Sequence, residues 1–69
     1  MYYYHVAFSH ILHYNGNNHV RFGQTKTELS DKIKANNYES YMSMLKTLIE
    51  RKYNIEAVVV ISYQLLEDE

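Results

Sequence analysis

The spacing of apolar residues changes twice along this chain, and these changes constrain its fold more strongly than any other feature. Residues 2–12 are β-branched and aromatic with a period of two, which predicts a strand. From Asn37 the period becomes that of an amphipathic helix, and residues 56–66 then read as a further strand. With another strand over residues 19–27, the predicted fold is α+β: a ββαβ chain forming a three-stranded antiparallel sheet of order 2-1-3, with the helix packed on one face.

The first two predicted strands are joined by residues 15–18, Asn-Gly-Asn-Asn, a cluster typical of tight hairpin turns. A three-residue loop over residues 14–16 would pair Phe8 with Phe22 and gather the apolar residues on one face. A two-residue turn at Asn15-Gly16 would instead pair Phe22 with Ser9 and divide the apolar residues between the faces. We therefore expect the three-residue loop, with a shared apolar face made of Val6, Phe8, Leu12, Val20 and Phe22.

The helical segment places its apolar residues at i, i+3, i+4 and i+7. Asn36 and Glu39 resemble a capping box at its start. Arg51 and Lys52 complement the helix dipole, and Asn54 can end the helix. Residues 28–35 fit a strand extension, a turn or a short helix. The pattern predicts a core between helix and sheet made of Phe8, Phe22, Leu45, Leu48 and Ile49.

The third predicted strand is apolar on both faces at its centre. In a sheet of order 2-1-3 it is an edge, and an apolar edge aggregates unless something pairs with it or covers it. The chain has 69 residues and no cysteine, so disulfides cannot stabilise it, and its one small core supplies little stability. We therefore expect a single domain over residues 1–69 that dimerises, either by face-to-face packing of two sheets or, preferably, through the edge residues Val58, Val59, Val60 and Ile61.

Charge and hydropathy exclude some classes of partner. Seven Lys/Arg residues against eight Asp/Glu give a net charge of −1, and the basic residues are dispersed, which disfavours nucleic acid. The acidic triplet Glu67-Asp68-Glu69 reads as a solubilising end. The longest apolar run, residues 57–61, is far below the ~18 residues of a membrane span. We expect a cytoplasmic protein without a membrane partner.

The candidates for chemistry are four histidines and two serines. On a strand, His10 and His13 point to opposite faces, and no carboxylate lies among the histidines, so we expect no metal site. Ser9 and Ser62 lack the glycine-rich loop or elbow that accompanies a nucleophile. One sheet with one helix also offers little concavity. The sequence therefore predicts neither catalysis nor a cofactor. His5, His13 and His19 fit a polar sheet face.

Eight tyrosines are the most distinctive feature of the composition. Those on the helix fit core packing, but Tyr3 falls on the sheet face opposite the predicted core. One helix cannot cover both faces, so this face is a candidate binding surface that either docks a protein or stacks unpaired bases. Its predicted residues are Tyr3, His5, His13, Arg21 and, from the third strand, Tyr63.

Three segments of the chain resemble small uncharacterised proteins of bacteriophages and prophages. They are residues 2–9, 21–23 and 58–67. The resemblance implies a ββαβ unit with a terminal strand of the same kind. It also implies a context, because phage proteins of this size commonly bind and inhibit host machinery, including CRISPR nucleases, restriction systems and transcription enzymes.

From these features we expect a non-enzymatic protein-interaction module that binds and inhibits a host protein. Its sharpest form is an anti-CRISPR or other anti-defence inhibitor. The alternative is a binder of single-stranded nucleic acid that uses Tyr3, His5, Arg21 and Tyr63 as a stacking platform. The balanced charge and the lack of recognisable RNA-binding aromatic motifs weigh against this alternative.

Overall fold

The computed structural model describes residues 1–66, which form a sheet and a helix. The strands are antiparallel in the order β2-β1-β3, and the helix packs on one side of the sheet, so the predicted α+β fold and ββαβ order are confirmed. The predicted acidic end, residues 67–69, lies outside the described residues. In chain order the elements are β1 (Tyr2–Tyr14), β2 (Asn17–Leu29), α1 (Tyr38–Tyr53) and β3 (Glu56–Leu65).

The hairpin between β1 and β2 has a different register from the predicted one. Asn15 and Gly16 form a two-residue turn with φ angles of 50° and 77°, both in the left-handed region. Such a turn matches the twist of the flanking strands. Phe22 therefore pairs with Ser9, and Phe8 pairs with Gly23, so the predicted three-residue loop is wrong. The shift of one residue moves every β2 side chain to the other face of the sheet.

The core lies between α1 and the middle of the sheet. Phe8, Leu45 and Ile49 are buried in it, as predicted, but Phe22 and Leu48 are 75% and 46% exposed. The register shift turns Phe22 and Val20 away from the helix, so the predicted shared apolar face does not form. Leu48 is exposed because it faces the β2 side of the helix, beside Thr25 and Thr27, where a cavity of about 210 Å³ remains. The buried apolar residues are Tyr4, Val6, Phe8, Leu29, Leu45, Ile49 and Val58.

Polar contacts anchor the end of α1 to β2. The Tyr53 hydroxyl donates a hydrogen bond of 2.8 Å to the Thr25 hydroxyl, and Lys52 Nζ donates one of 3.3 Å to the same oxygen. When Tyr53 ionises, the Thr25 hydroxyl donates to the phenolate instead; this hydrogen bond and the nearby Lys52 ammonium hold the pKa of Tyr53 below its ordinary value. The Tyr53 ring also stacks on Phe8, with ring centres 6.1 Å apart. The helix end is therefore fixed over the strand pair β1-β2.

The interval over residues 28–35 begins as a strand extension and continues as a loop. β2 runs to Leu29, whose side chain is buried in the core. The Ile33 amide then donates a 2.9 Å hydrogen bond to the Tyr4 hydroxyl, which gives this buried phenol a polar partner. The loop is thus tied to the central strand.

Asn37, rather than Asn36, precedes the first helical residue, so the predicted capping box does not form. The Asn37 side chain bonds back to the loop: its Oδ1 accepts from the Lys34 amide at 2.6 Å, and its Nδ2 donates to the Lys32 carbonyl at 3.0 Å. At the other end, Asn54 adopts φ 53° and ends the helix as predicted.

Candidate functional site

The sheet face opposite α1 is uncovered in the part of the chain that the structure describes, and we call it the open face. The pairing register assigns alternate residues of each strand to it. β1 contributes its odd-numbered residues, 3–13, and β2 contributes its even-numbered residues, 18–28. From β3 the open face receives Glu56, Val59, Ile61, Ser62 and Gln64, with Ile61 as the extra residue of a bulge.

The middle of the open face is apolar. Phe22 projects from β2, while Val59 and Ile61 project from β3 and are 60% and 55% exposed. Between them the central strand places Ala7 and Ser9, and the larger Ile11 follows on the side of the turn. Small residues on the middle strand and large ones on both flanks leave a trough along β1, which we call the apolar trough. Exposed apolar surface of this kind is typical of interaction sites.

The end of the open face away from the hairpin turn is polar and aromatic. Lys26 Nζ lies 4.8 Å from the centre of the Tyr3 ring, which is a cation–π contact. His5 pairs directly with Lys26, and Glu28 pairs with Tyr3. Tyr3 and His5 therefore lie on the face predicted for them, next to an acidic and a basic side chain.

Arg21 and Tyr63 lie on the helix side of the sheet, so the predicted five-residue binding surface does not form. The register shift pairs Arg21 with His10, which turns the guanidinium away from the open face. Tyr63 pairs with Val6, a core residue, and its ring packs edge-on against Tyr4 with centres 5.9 Å apart. Two members of the proposed base-stacking platform are thus separated from the other two by the sheet itself.

His13 lies on the open face, and its contacts fasten the hairpin to the start of β3. Its Nε2 lies 2.7 Å from Glu56 Oε1, and its Nδ1 forms a hydrogen bond with Asn18 Oδ1. His10 lies on the opposite face, as predicted. Within residues 1–66 no group of three or more His, Cys, Asp or Glu side chains is placed to hold a metal ion. The arrangement gives His13 a structural role.

The predicted dimer edge, residues 58–61, sends its side chains to both sides of β3. Val58 is buried under α1 and Val60 is half-buried, whereas Val59 and Ile61 belong to the open face. The position of β3 at the edge of the sheet is confirmed. Beside it, α1 and β3 enclose a groove of about 500 Å³, which we call the edge groove. Its lining includes Tyr38, Met42, Lys46, Val58 and Val60.

The outer edge of β3 is irregular. Its register with β1 shifts at two places, and Ala57, at the first of them along β3, has φ 56°. Glu50 Oε2 accepts a 3.1 Å hydrogen bond from the Val58 amide and a 2.7 Å bond from Lys46 Nζ. The bond from Lys46, and then that from Val58, hold the pKa of Glu50 below its ordinary value. Bulges of this kind make an edge a poor template for a long added strand.

Sequence reasoning missed Val20 and Phe22 as open-face residues, and Tyr38 and Met42 as groove residues. A signal for the first pair exists, because Asn-Gly between two apolar segments is the strongest short-range indication of a two-residue hairpin turn. For the second pair, the helical period identifies an apolar stripe without showing which part of it the sheet leaves uncovered. The groove therefore required the structure.

Comparison of the chain with protein-family models, with curated proteins and with solved structures finds no match. Within residues 1–66 no helix has both the length and the apolar composition needed to cross a bilayer.

Proposed function

We propose that this chain is a non-enzymatic protein-interaction module, a cytoplasmic homodimer that binds and inhibits a host protein. The observation that carries the proposal is the edge groove, which is apolar and lies next to a free strand edge. The resemblance to phage proteins supplies the context of inhibition. The most specific form of the proposal is an anti-CRISPR or other anti-defence inhibitor.

The groove has the size and lining of a site for an apolar anchor. Its volume of about 500 Å³ falls within the ~300–1,000 Å³ of typical ligand pockets. Tyr38 and Met42 line its helical side, and methionine adapts its shape to varied apolar partners. The ammonium in the lining, Lys46, is paired with Glu50, and the exposed carboxylate of Glu39 lies in the lining beside the apolar side chains.

The neighbouring strand edge favours a polypeptide over a small molecule. From Ala57 to Leu65 β3 has no charged residue, whereas free edges are commonly guarded by lysine or proline. An extended segment laid along β3 gains main-chain hydrogen bonds and directs alternate side chains into the groove. Because the two bulges interrupt the edge, a short segment fits it better than a long one.

Binding to the host protein is by itself enough to inhibit it. A module that fills its groove with part of a host protein blocks the surface that this part normally serves, and no catalytic group is needed. This mode accords with the small size of the chain and with the resemblance to phage proteins.

Affinity capture with a matched pair of variants tests the proposal. Tagged wild type, Met42→Glu and Thr47→Glu are incubated with extract of the host, and retained proteins are identified by mass spectrometry. Thr47 is exposed on α1 and lies outside the groove lining, so it controls for the added charge. We expect a host protein that wild type and Thr47→Glu retain and Met42→Glu loses. Equal retention by all three would refute the groove as the docking site.

One observation favours the alternative of a single-strand nucleic-acid binder. Lys26 over the Tyr3 ring, beside His5, joins a cation to an aromatic surface on the open face. The platform is incomplete, since Arg21 and Tyr63 lie on the other side of the sheet. The net charge of −1 also gives little attraction for phosphates.

A further inference from the structure

We infer that the open face is the seam of the homodimer, with Phe22 of each copy seated in the apolar trough of the other. The inference rests on the homodimer proposed above. It places the seam between the two copies on the open face and not on the edge of β3. Four features of the molecule support it: its surface area, the shape of the trough, the distribution of charge and the irregular edge.

The chain exposes more surface than a compact monomer of its mass. Its accessible surface is 5261 Å² for 8.3 kDa, whereas a folded monomer of that mass exposes roughly 4,600 Å². Its radius of gyration is 13.1 Å, against about 11 Å for a compact chain of this length. The excess area, roughly 700 Å², is close to the ~800 Å² that each partner buries in a standard interface. One further layer on the open face would supply that burial.

The trough is self-complementary. Phe22 is a ridge on β2, and the neighbouring positions of β1 are the small residues Ala7 and Ser9. A two-fold axis that runs along the strands between β1 and β2 places β2 of each copy over β1 of the other. At the ~10 Å spacing of packed sheets, each Phe22 then fills the partner's trough. The same residues thus supply both halves of the contact, as a two-fold interface requires.

The charges of the open face are compatible with this axis. Lys26 and Glu28 of one copy come to lie over His5 and Tyr3 of the other, because the axis preserves position along the strands. Among these residues, no ammonium group faces an ammonium group and no carboxylate faces a carboxylate. Like charges at a seam would cost affinity, and this arrangement avoids them.

The edge of β3 is the less suitable seam. Its two bulges prevent regular pairing along a second β3, and the Val58 amide already donates to Glu50. An edge dimer would also leave Phe22 and Val20 in water. With the open faces joined, the helices lie on the outside and the edge groove of each copy remains free for a host protein.

Sedimentation equilibrium of three variants tests the seam. Wild type at high micromolar concentration is expected to show the mass of two 8.3 kDa chains. Phe22→Glu should raise the dissociation constant roughly 30-fold or more, as loss of a hot-spot residue does. Leu12→Glu places the same charge on the helix side of the same hairpin, where Leu12 is exposed, and should remain dimeric. Circular dichroism verifies that each variant is folded.

Two results would overturn the inference, and they differ in meaning. A wild type with the mass of one chain would overturn both the seam and the proposed homodimer. A Phe22→Glu variant that stays dimeric would overturn the seam and leave the homodimer standing. Neither result decides whether the edge groove captures a host protein, which the Met42→Glu comparison tests separately.

Discussion

Phe8 and Gly23 face each other across β1 and β2, and the Phe8 ring occupies the space that a side chain at position 23 would need. A Cβ placed on Gly23 would come within 2.7 Å of Phe8 Cζ. The ring cannot move aside freely, because Phe8 is buried and stacks on Tyr53. This contact exists only in the register that turns Phe22 onto the open face. The relationship therefore links the core to the proposed interaction surface.

Gly23→Ala should destabilise the protein, although alanine is usually preferred to glycine in a strand. Overpacking of a filled core costs about 1–3 kcal/mol. Urea unfolding at fixed protein concentration measures the change, with Arg21→Ala, at an exposed position on the same side of β2, as the control. The double variant with Gly23→Ala and Phe8→Leu should lose less stability than the sum of the losses of the two single variants, because the leucine at position 8 leaves room for the added methyl group. An alanine variant as stable as wild type would mean that Phe8 does not lie over Gly23.

Leu45→Ala should cost on the order of 2–5 kcal/mol, because Leu45 is fully buried between helix and sheet. A chain of this size has roughly 3–5 kcal/mol of stability in its core, so the variant should be largely unfolded at room temperature. Leu48→Ala is the matched control, and its half-exposed side chain should cost only about 0.5 kcal/mol. An unchanged melting temperature for Leu45→Ala would contradict the packing of α1 on the sheet.

The pH dependence of stability should report the hydrogen bonds of Glu50. Its pKa is lowered in the folded state, first by Lys46 and then by the Val58 amide. A lowered carboxyl pKa contributes stability that is complete above the ordinary value of about 4.3 and is lost as the pH falls through the folded value. Wild type should therefore exceed Glu50→Gln in stability at neutral pH, and the difference should shrink in acid below about pH 4.

The measurement is urea unfolding of wild type and Glu50→Gln from neutral pH to pH values below about 3. Glu39→Gln, at an exposed position in the first helical turn, controls for the loss of a carboxylate from the same helix. A difference between wild type and Glu50→Gln that stays constant over this pH range would show that the carboxylate is not held by Lys46 and Val58.

The sequence pattern was sufficient for the fold class and insufficient for the register. The helix stripe and the apolar third strand identify α1 and β3, and the edge position of β3 follows from the ββαβ order. For the hairpin, burial of Phe22 predicts a three-residue loop, whereas Asn15-Gly16 predicts a two-residue turn. Burial was the wrong criterion, because α1 covers only one face and Gly23 must lie under Phe8. That single choice also misplaced Arg21 on the open face.

Single-stranded oligonucleotides should not bind with measurable affinity at physiological salt. Only Tyr3 and His5 of the four platform residues share the open face, and stacking on an aromatic residue contributes about 1–3 kcal/mol per base. Fluorescence anisotropy with labelled poly-pyrimidine and mixed-sequence strands, at low and physiological salt, makes the test. Sub-micromolar, salt-dependent binding that Tyr3→Ala weakens would make nucleic acid the preferred partner.

The most direct test of the open face as an interface is an isotope-filtered NOE experiment on a mixture of labelled and unlabelled protein. Only contacts between two copies give signals in such a spectrum. We expect cross-peaks between the Phe22 ring protons of one copy and the Cβ protons of Ser9 and Ala7 of the other. Cross-peaks joining Val60 or Met42 of one copy to the same residues of the other, with none from Phe22, would contradict it and identify the edge of β3 as the seam.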